Sequence, residues 1–141
     1  MDETTLHGEL MTLLRQLPGM TDQVFSGEVP QRLPQDANGN VKPYIVVFSG
    51  VAGDLPLERD LSTAVDTSTL RWRPQINAVG ANADQALAVA VYIRKALTNT
   101  RLGNHWLKPD PDAFEVTRPI PDQQVSPVRF YLPLNFVVIT N

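Results

Sequence analysis

The apolar residues of the chain fall into two helical stripes and several strand-like runs. Leucines recur from Leu6 to Leu17 at spacings that place them on one side of an α-helix. This helix is predicted to begin near Asp2 to Thr5, where short polar side chains can cap it, and to end before Pro18. A second helix is predicted from Ala83 to Leu102, with Asn82 as its N-cap and several alanines on its apolar stripe.

Four stretches have the composition of β-strands. The run from Tyr44 to Phe48 is apolar throughout, which predicts burial on both faces. Apolar and polar residues alternate from Thr69 to Val79 and from Val128 to Thr140, and a shorter strand is predicted from Gln23 to Val29. Because Pro74 cannot donate to a ladder, its strand is expected to lie at a sheet edge or to carry a bulge there.

The length and element order predict one domain spanning residues 1–141. Two long loops are expected, an acidic one at about 51–67 and a proline-rich one at about 103–127, the second containing a candidate short strand from Phe114 to Thr117. Strands do not alternate regularly with helices, which argues against a parallel sheet. The predicted fold class is therefore α+β, with a mainly antiparallel four- or five-stranded sheet and two helices packed on one face.

Composition and charge narrow the classes of function. The chain has 12 basic and 15 acidic residues, so no basic excess favours general nucleic-acid binding. It has no cysteine, which excludes disulfides, thiolate catalysis and cysteine-based zinc sites. No apolar run is long enough for a membrane helix, and the acidic residues at Met1 to Glu3 do not resemble a secretory signal. The cytoplasm is the expected place of synthesis.

No pattern in the chain has the spacing of a catalytic or metal site. His7 and His105 lie far apart and lack neighbouring ligand types, so each is predicted to be exposed or hydrogen-bonded rather than a ligand. The segment from Gly50 to Asp54 follows a strand but lacks the Lys-Ser/Thr ending of a phosphate loop, and there is no G-x-S-x-G sequence. The sequence therefore predicts neither an enzyme nor a cofactor.

Seven charged residues are candidates for contact with a partner protein. Arg71 and Arg73 share one face of a strand, where guanidinium groups could bind carboxylates of a partner; the alternative is a solvated face with weak ion pairs. Asp110 and Asp112 flank a proline and could contact a cation, although an exposed acidic loop is the simpler interpretation. The acidic loop supplies the other three candidates, which are Asp54, Glu58 and Asp60.

The region from Val29 to Phe48 has a more specific pattern. A turn rich in Asp, Asn and Gly leads through Val41-Lys42 into a strand that begins Pro43-Tyr44. This pattern, together with the amphipathic first helix, the alternating strand, the second helix and the long closing strand, resembles the tail terminator (tail completion) proteins of long-tailed bacteriophages. The resemblance covers nearly the whole chain.

The resemblance implies a virion structural protein with an α+β fold, without catalysis or cofactor. Such subunits form a hexameric ring that caps the tail tube, stops its polymerisation and provides the joining surface for the head. The implied partners are copies of the chain, the tail tube protein and a head-completion or connector protein, with no membrane and with DNA only in the ring lumen. The implied location is the head–tail junction of the virion, after assembly in the host cytoplasm. The two long loops are expected to meet these neighbours.

Three alternatives stay open at this point. The chain could be another neck or head–tail connector component, or a minor tail protein. It could be a small-molecule-binding or enzymatic α+β domain with a site built from Arg71, Trp72, Arg73 and Trp106, which would require a deep apolar pocket with convergent polar groups. It could also be a monomeric domain that acts alone.

Overall fold

The structure, a computed structural model, describes residues 2–29, 33–51, 53–54 and 70–140. In this part of the chain there are two helices, α1 at Glu3–Arg15 and α2 at Ala83–Leu97. The strands in chain order are β1 Val24–Ser26, β2 Tyr44–Phe48, β3 Gly53–Asp54, β4 Leu70–Trp72, β5 Gln75–Gly80, β6 Thr100–Leu102, β7 His105–Pro109, β8 Ile120–Asp122 and β9 Arg129–Thr140.

The sheet is larger than the sequence predicts. Nine strands of the described residues pair in one mixed sheet that curls into a half-barrel, so the prediction of a four- or five-stranded, mainly antiparallel sheet is wrong. The reason is that β7 and β8 lie within the segment predicted to be a loop at 103–127. In addition, β6 lies where the second helix was predicted to continue. The sheet is mixed because β1 runs parallel to β2, with Phe25 opposite Val46.

Strand β9 organises the sheet because both of its edges are paired. Along one edge it pairs with β5 at residues 130–135 and with β4 at residues 138–140. Along the other edge it pairs with β8 at residues 129–131 and with β7 at residues 136–138. The long closing strand predicted from the sequence is confirmed, with 12 residues. Four partners on one long twisted strand give the sheet its curl.

Both helices contribute to a core on one face of the sheet, which we call the helix face. Buried residues of α1 and α2 lie in this core with alternate residues of β2, β5 and β9; examples are Leu10, Ile93, Val47, Ile76 and Phe136. The opposite face, called the outer face, carries a smaller cluster of Val41, Tyr44, Val46 and Val79. Strand β2 is therefore buried on both faces, as its uninterrupted apolar run predicts.

Two breaks in regular structure have local causes. Strands β4 and β5 lie in one line that is interrupted at Arg73-Pro74, and the Phe136 N–H donates to the Pro74 carbonyl oxygen at 3.1 Å. The register continues across this break, from Trp72 opposite Val138 to Gln75 opposite Asn135, so no extra residue forms the predicted bulge. Both strands are interior in the sheet order, so the predicted edge position is not found either. Helix α2 ends at Leu97 and not at Leu102, since Asn99 adopts a left-handed conformation with φ of 60° that turns the chain into β6.

The start of α2 is set by its contacts with the end of β5. The Asn82 side chain accepts a hydrogen bond from the Gln85 N–H at 2.8 Å, and the Gln85 side chain accepts one from the Ala81 N–H at 2.6 Å. This is a variant of the capping box in which the residue before the N-cap is the donor. A Cβ atom at Gly80 would lie 2.7 Å from the backbone nitrogen of Ala86. The missing side chain at Gly80 is therefore what lets α2 begin directly against β5.

Candidate functional site

Four of the predicted contact residues lie together on the outer face. Trp72 is buried in the core on the helix face, so the alternation of β4 directs its neighbour Arg71 to the outer face. Arg73 follows Trp72 at the break between β4 and β5. Strands β4 and β7 flank β9 on opposite sides, since Val138 pairs with both. The two arginines therefore reach across β9 to Asp110 and Asp112, in the segment that follows β7.

The two ion pairs differ in their exposure to water. Arg73 Nε lies 2.5 Å from Asp110 Oδ2, and the Asp110 side chain is only 2% exposed. The other oxygen of Asp110 accepts a hydrogen bond from the Asp112 N–H at 3.0 Å, so both oxygens are occupied. Arg71 Nη1 lies 3.5 Å from Asp112 Oδ2, and that aspartate side chain is 66% exposed. The Arg73–Asp110 pair is thus shielded, whereas the Arg71–Asp112 pair is solvated.

The pairing changes the interpretation of these residues. The sequence predicts that the arginines and the aspartates contact a partner, and the structure brings them into contact with each other. The two ion pairs hold the start of the proline-rich segment against the sheet. In the described part of the chain, no group of three or more histidine, aspartate or glutamate side chains is placed to hold a metal ion.

The remaining predicted contact residues belong to the acidic loop. Glu58 and Asp60 lie outside the described residues, as does most of the predicted loop at 51–67. Asp54 lies in β3, where it pairs with Leu70.

A groove of about 720 Å³ opens on the outer face over β2, β5 and β9. Its floor contains Tyr44, Val46 and Val79, and at one end Arg129 Nη1 donates a hydrogen bond to the Tyr44 hydroxyl at 3.1 Å. Phe48 at its rim is 41% exposed. This groove could not be predicted from the sequence, because residues of four strands (β2, β5, β8 and β9) form it and the register between strands is not visible in any one of them.

The segment at 110–117 also borders a second surface, which lies on the helix face beside α2. Arg94 Nη1 of α2 lies 3.7 Å from Glu115 Oε1, and Val116 packs against the main core. A cleft of about 410 Å³ separates this segment from α2. Phe114 borders the cleft and is 87% exposed. The segment is attached at Asp110 and at Val116, and the phenyl ring between them is presented to solvent. The candidate strand at residues 114–117 is not formed.

His7 connects α1 to the sheet. Its Nδ1 lies 2.7 Å from the Ser49 hydroxyl and its Nε2 lies 2.8 Å from the Ser26 hydroxyl. In a catalytic triad, one ring nitrogen of the histidine contacts the serine nucleophile, and the other is bound by a third group that orients the ring. Here both ring nitrogens contact serines, and each serine lies at an end of β1 or β2. The prediction of a hydrogen-bonded histidine is therefore confirmed for His7.

The four residues proposed for a small-molecule site do not converge. Trp72 is 1% exposed and lies in the core, and its indole N–H has no hydrogen-bond partner among the described residues. Trp106 is 46% exposed on the β6–β7 hairpin, where the Arg101 guanidinium lies 4.4 Å from its ring centroid. Arg71 and Arg73 are paired with aspartates, so this constellation forms no shared pocket.

Within the described ranges, neither helix has the length and hydropathy needed to cross a membrane. Comparison of the chain with protein-family models and with the curated proteins gave no match to either.

Proposed function

We propose that this protein is a virion structural protein of the tail terminator type. Copies of the chain form a ring that caps the tail tube, stops its polymerisation and provides the joining surface for the head. The proposal starts from the resemblance in element order and in the turn that leads into Pro43-Tyr44. The observation that supports it best is the presence of a groove on the outer face and a cleft on the helix face, each bordered by an exposed phenylalanine, Phe48 and Phe114.

A closed ring requires heterologous contacts, in which one surface of a subunit binds a different surface of the next. The exposed Phe114 projects from the helix face, and the groove beside Phe48 opens on the outer face. Two unlike surfaces that point in different directions suit such a contact. Burial of a phenylalanine side chain contributes about 1.5–3 kcal/mol, so one contact of this kind at every subunit boundary would stabilise a ring substantially.

The Arg73–Asp110 pair supports the same assignment. A projecting side chain contributes most to binding when its backbone is already ordered, because little conformational entropy is then lost on association. The shielded ion pair on one side and the packing of Val116 on the other order the segment that carries Phe114. Termination then follows from geometry: the ring binds the last ring of the tube, and its far face is not complementary to another tube subunit.

The assembly test is native mass spectrometry over a wide range of protein concentration, with negative-stain images of large species. We expect a closed ring of about six subunits with a central hole, and loss of this ring in Phe114→Ser and in Phe48→Ser. Val128→Ser is the matched control, because Val128 is 50% exposed but lines neither the groove nor the cleft. Rings that form equally well in both test variants would contradict the proposed contact.

A further inference from the structure

The outward side of α2 is apolar although the helix already buries its other side. Val89, Ala90 and Ile93 belong to the stripe that packs in the core. On the opposite side, Leu87 is 43% exposed and Val91 is 44% exposed. A shallow surface runs along this side, and its lining residues are Asp84, Leu87, Ala88, Val91, Tyr92 and Lys95. A helix that is apolar on two sides is typical of one that is covered on both.

The six residues of this surface are arranged symmetrically about its centre. A two-fold rotation about an axis through the midpoint between Val89 and Ala90, perpendicular to the helix, exchanges the positions of Asp84 and Lys95. The same operation exchanges Leu87 with Tyr92 and Ala88 with Val91. An antiparallel second copy of α2 would therefore set an acidic residue opposite a basic one at each end and apolar residues opposite each other between them. A parallel copy would set like charges together.

We propose that this side of α2 is a two-fold docking surface for a second copy of the chain. In the contact, Asp84 of one copy faces Lys95 of the other at both ends. Both side chains are exposed, and no ion pair involves either of them in the described part of the chain. Ala88 lies near the crossing point, where a small side chain lets two helices approach to about 8–10 Å between axes.

The contact differs from the proposed ring in its symmetry, and the two surfaces share Leu87 and Val91, which also border the cleft beside Phe114. A two-fold contact uses the same surface on both subunits and closes with two copies, whereas a ring uses two different surfaces. One helix side offers less than the roughly 800 Å² per partner of a standard interface. The dimer is therefore expected to be weak, with a Kd on the order of tens of micromolar. Native mass spectrometry distinguishes a dimer from a ring of about six subunits in one experiment. The absence of one species therefore counts only against the assignment that predicts it.

The test is a charge exchange measured by sedimentation velocity across the micromolar range. Asp84→Lys alone and Lys95→Glu alone each turn both end contacts into repulsive ones, and each is expected to raise the dimer Kd about tenfold. The double exchange restores attraction at both ends and should return the Kd to within about twofold of the original. A double exchange that dimerises as weakly as the single variants would overturn the antiparallel arrangement.

A second variant tests the centre of the surface. Ala88→Glu introduces a charged side chain at an exposed helical position that tolerates glutamate, and it is expected to abolish the dimer. Lys108→Glu on β7 is the control, since Lys108 is exposed and its neighbour Leu107 lies in the core on the helix face. Alternation along β7 therefore places Lys108 on the outer face, away from α2. Melting temperatures establish that both variants are folded. A dimer that persists in Ala88→Glu, or a chain that is monomeric throughout the concentration range, would refute the proposal.

Discussion

Replacement of Arg73 by alanine removes the charge partner of a carboxylate that is nearly inaccessible to water. Loss of one member of a fully buried ion pair costs about 3–5 kcal/mol. The Arg73 side chain is 41% exposed and Asp110 is 2% exposed, so the pair is shielded on one side only. Solvent screening of the arginine lowers the expected loss of unfolding free energy to about 2 kcal/mol. Arg71→Ala breaks the solvated Arg71–Asp112 pair and should lower the free energy of unfolding by only about 0.5 kcal/mol.

The assay is urea denaturation of the wild type, the two single arginine variants, Asp110→Asn and the double variant Arg73→Ala with Asp110→Asn. For a chain of this size, 2 kcal/mol corresponds to a fall in melting temperature of about 6 °C. The double-mutant cycle should give a coupling energy of at least about 1 kcal/mol. Amide hydrogen exchange in residues 110–117 should become faster in Arg73→Ala, because the shielded pair orders the start of this segment.

Two results would refute this reasoning. Equal losses of stability in Arg71→Ala and Arg73→Ala would mean that shielding of the carboxylate has no energetic consequence. A coupling energy close to zero between Arg73 and Asp110 would mean that the short distance between them does not report a stabilising contact. Lys108→Ala is the control, since Lys108 is exposed on a neighbouring strand and should leave the stability unchanged.

Other predictions concern the helices. Gly80→Ala should lower the free energy of unfolding by about 2–3 kcal/mol, because its Cβ would collide with the first turn of α2. Gly8→Ala in α1 meets open space and should raise the free energy of unfolding by up to about 1 kcal/mol. A higher melting temperature for Gly80→Ala than for Gly8→Ala would contradict this. Asn82→Ala should lower the free energy of unfolding by about 1 kcal/mol, because the N-cap of α2 is lost. An unchanged midpoint of urea denaturation would show that the cap is dispensable. Hydrogen bonds from Thr5, first from its backbone N–H, lower the pKa of Asp2. The folded pKa lies below the unfolded one, so this stabilisation is complete above the ordinary aspartate pKa and is lost as pH falls through the folded value. Asp2→Asn should remove that acid-side dependence in a stability titration, and an unaltered titration would argue against the cap.

The long, strongly patterned elements could be predicted from the sequence because their own residues specify them. Strand β9 has an alternation that continues over 12 residues, and β2 has an apolar run that fits burial on two faces. The break at Pro74 was predictable because proline has no N–H to donate. The N-caps at Asp2 and Asn82 likewise follow from the local sequence.

The short strands could not be predicted because tertiary pairing, rather than local pattern, forms them. Strand β6, Thr100–Leu102, follows α2 almost directly. Its residues would fit a continued helix, but the left-handed Asn99 between the two elements turns the chain. Strand β7 ends in a proline and β8 contains one, so each resembles a loop in isolation. Both strands are stabilised by an edge of β9, which is distant in sequence.

The candidate site shows the same division. The residue types in the two charged pairs were predictable as groups that seek an opposite charge. Their partners were not, because the contact between Arg73 and Asp110 depends on the register of two strands on either side of β9. The groove on the outer face depends on four strands at once, and no single strand carries a sequence pattern that predicts it.

The length of tail tubes tests the central claim most directly. The proposed partner, a tail tube protein, is polymerised with and without the purified protein, and tube lengths and tube ends are measured in negative-stain images. A tail terminator should shorten the tubes in proportion to its concentration and leave a ring at one end of each tube. Phe114→Ser should lose this effect while Val128→Ser retains it. Tubes of unchanged length that lack end rings at saturating protein would contradict the account.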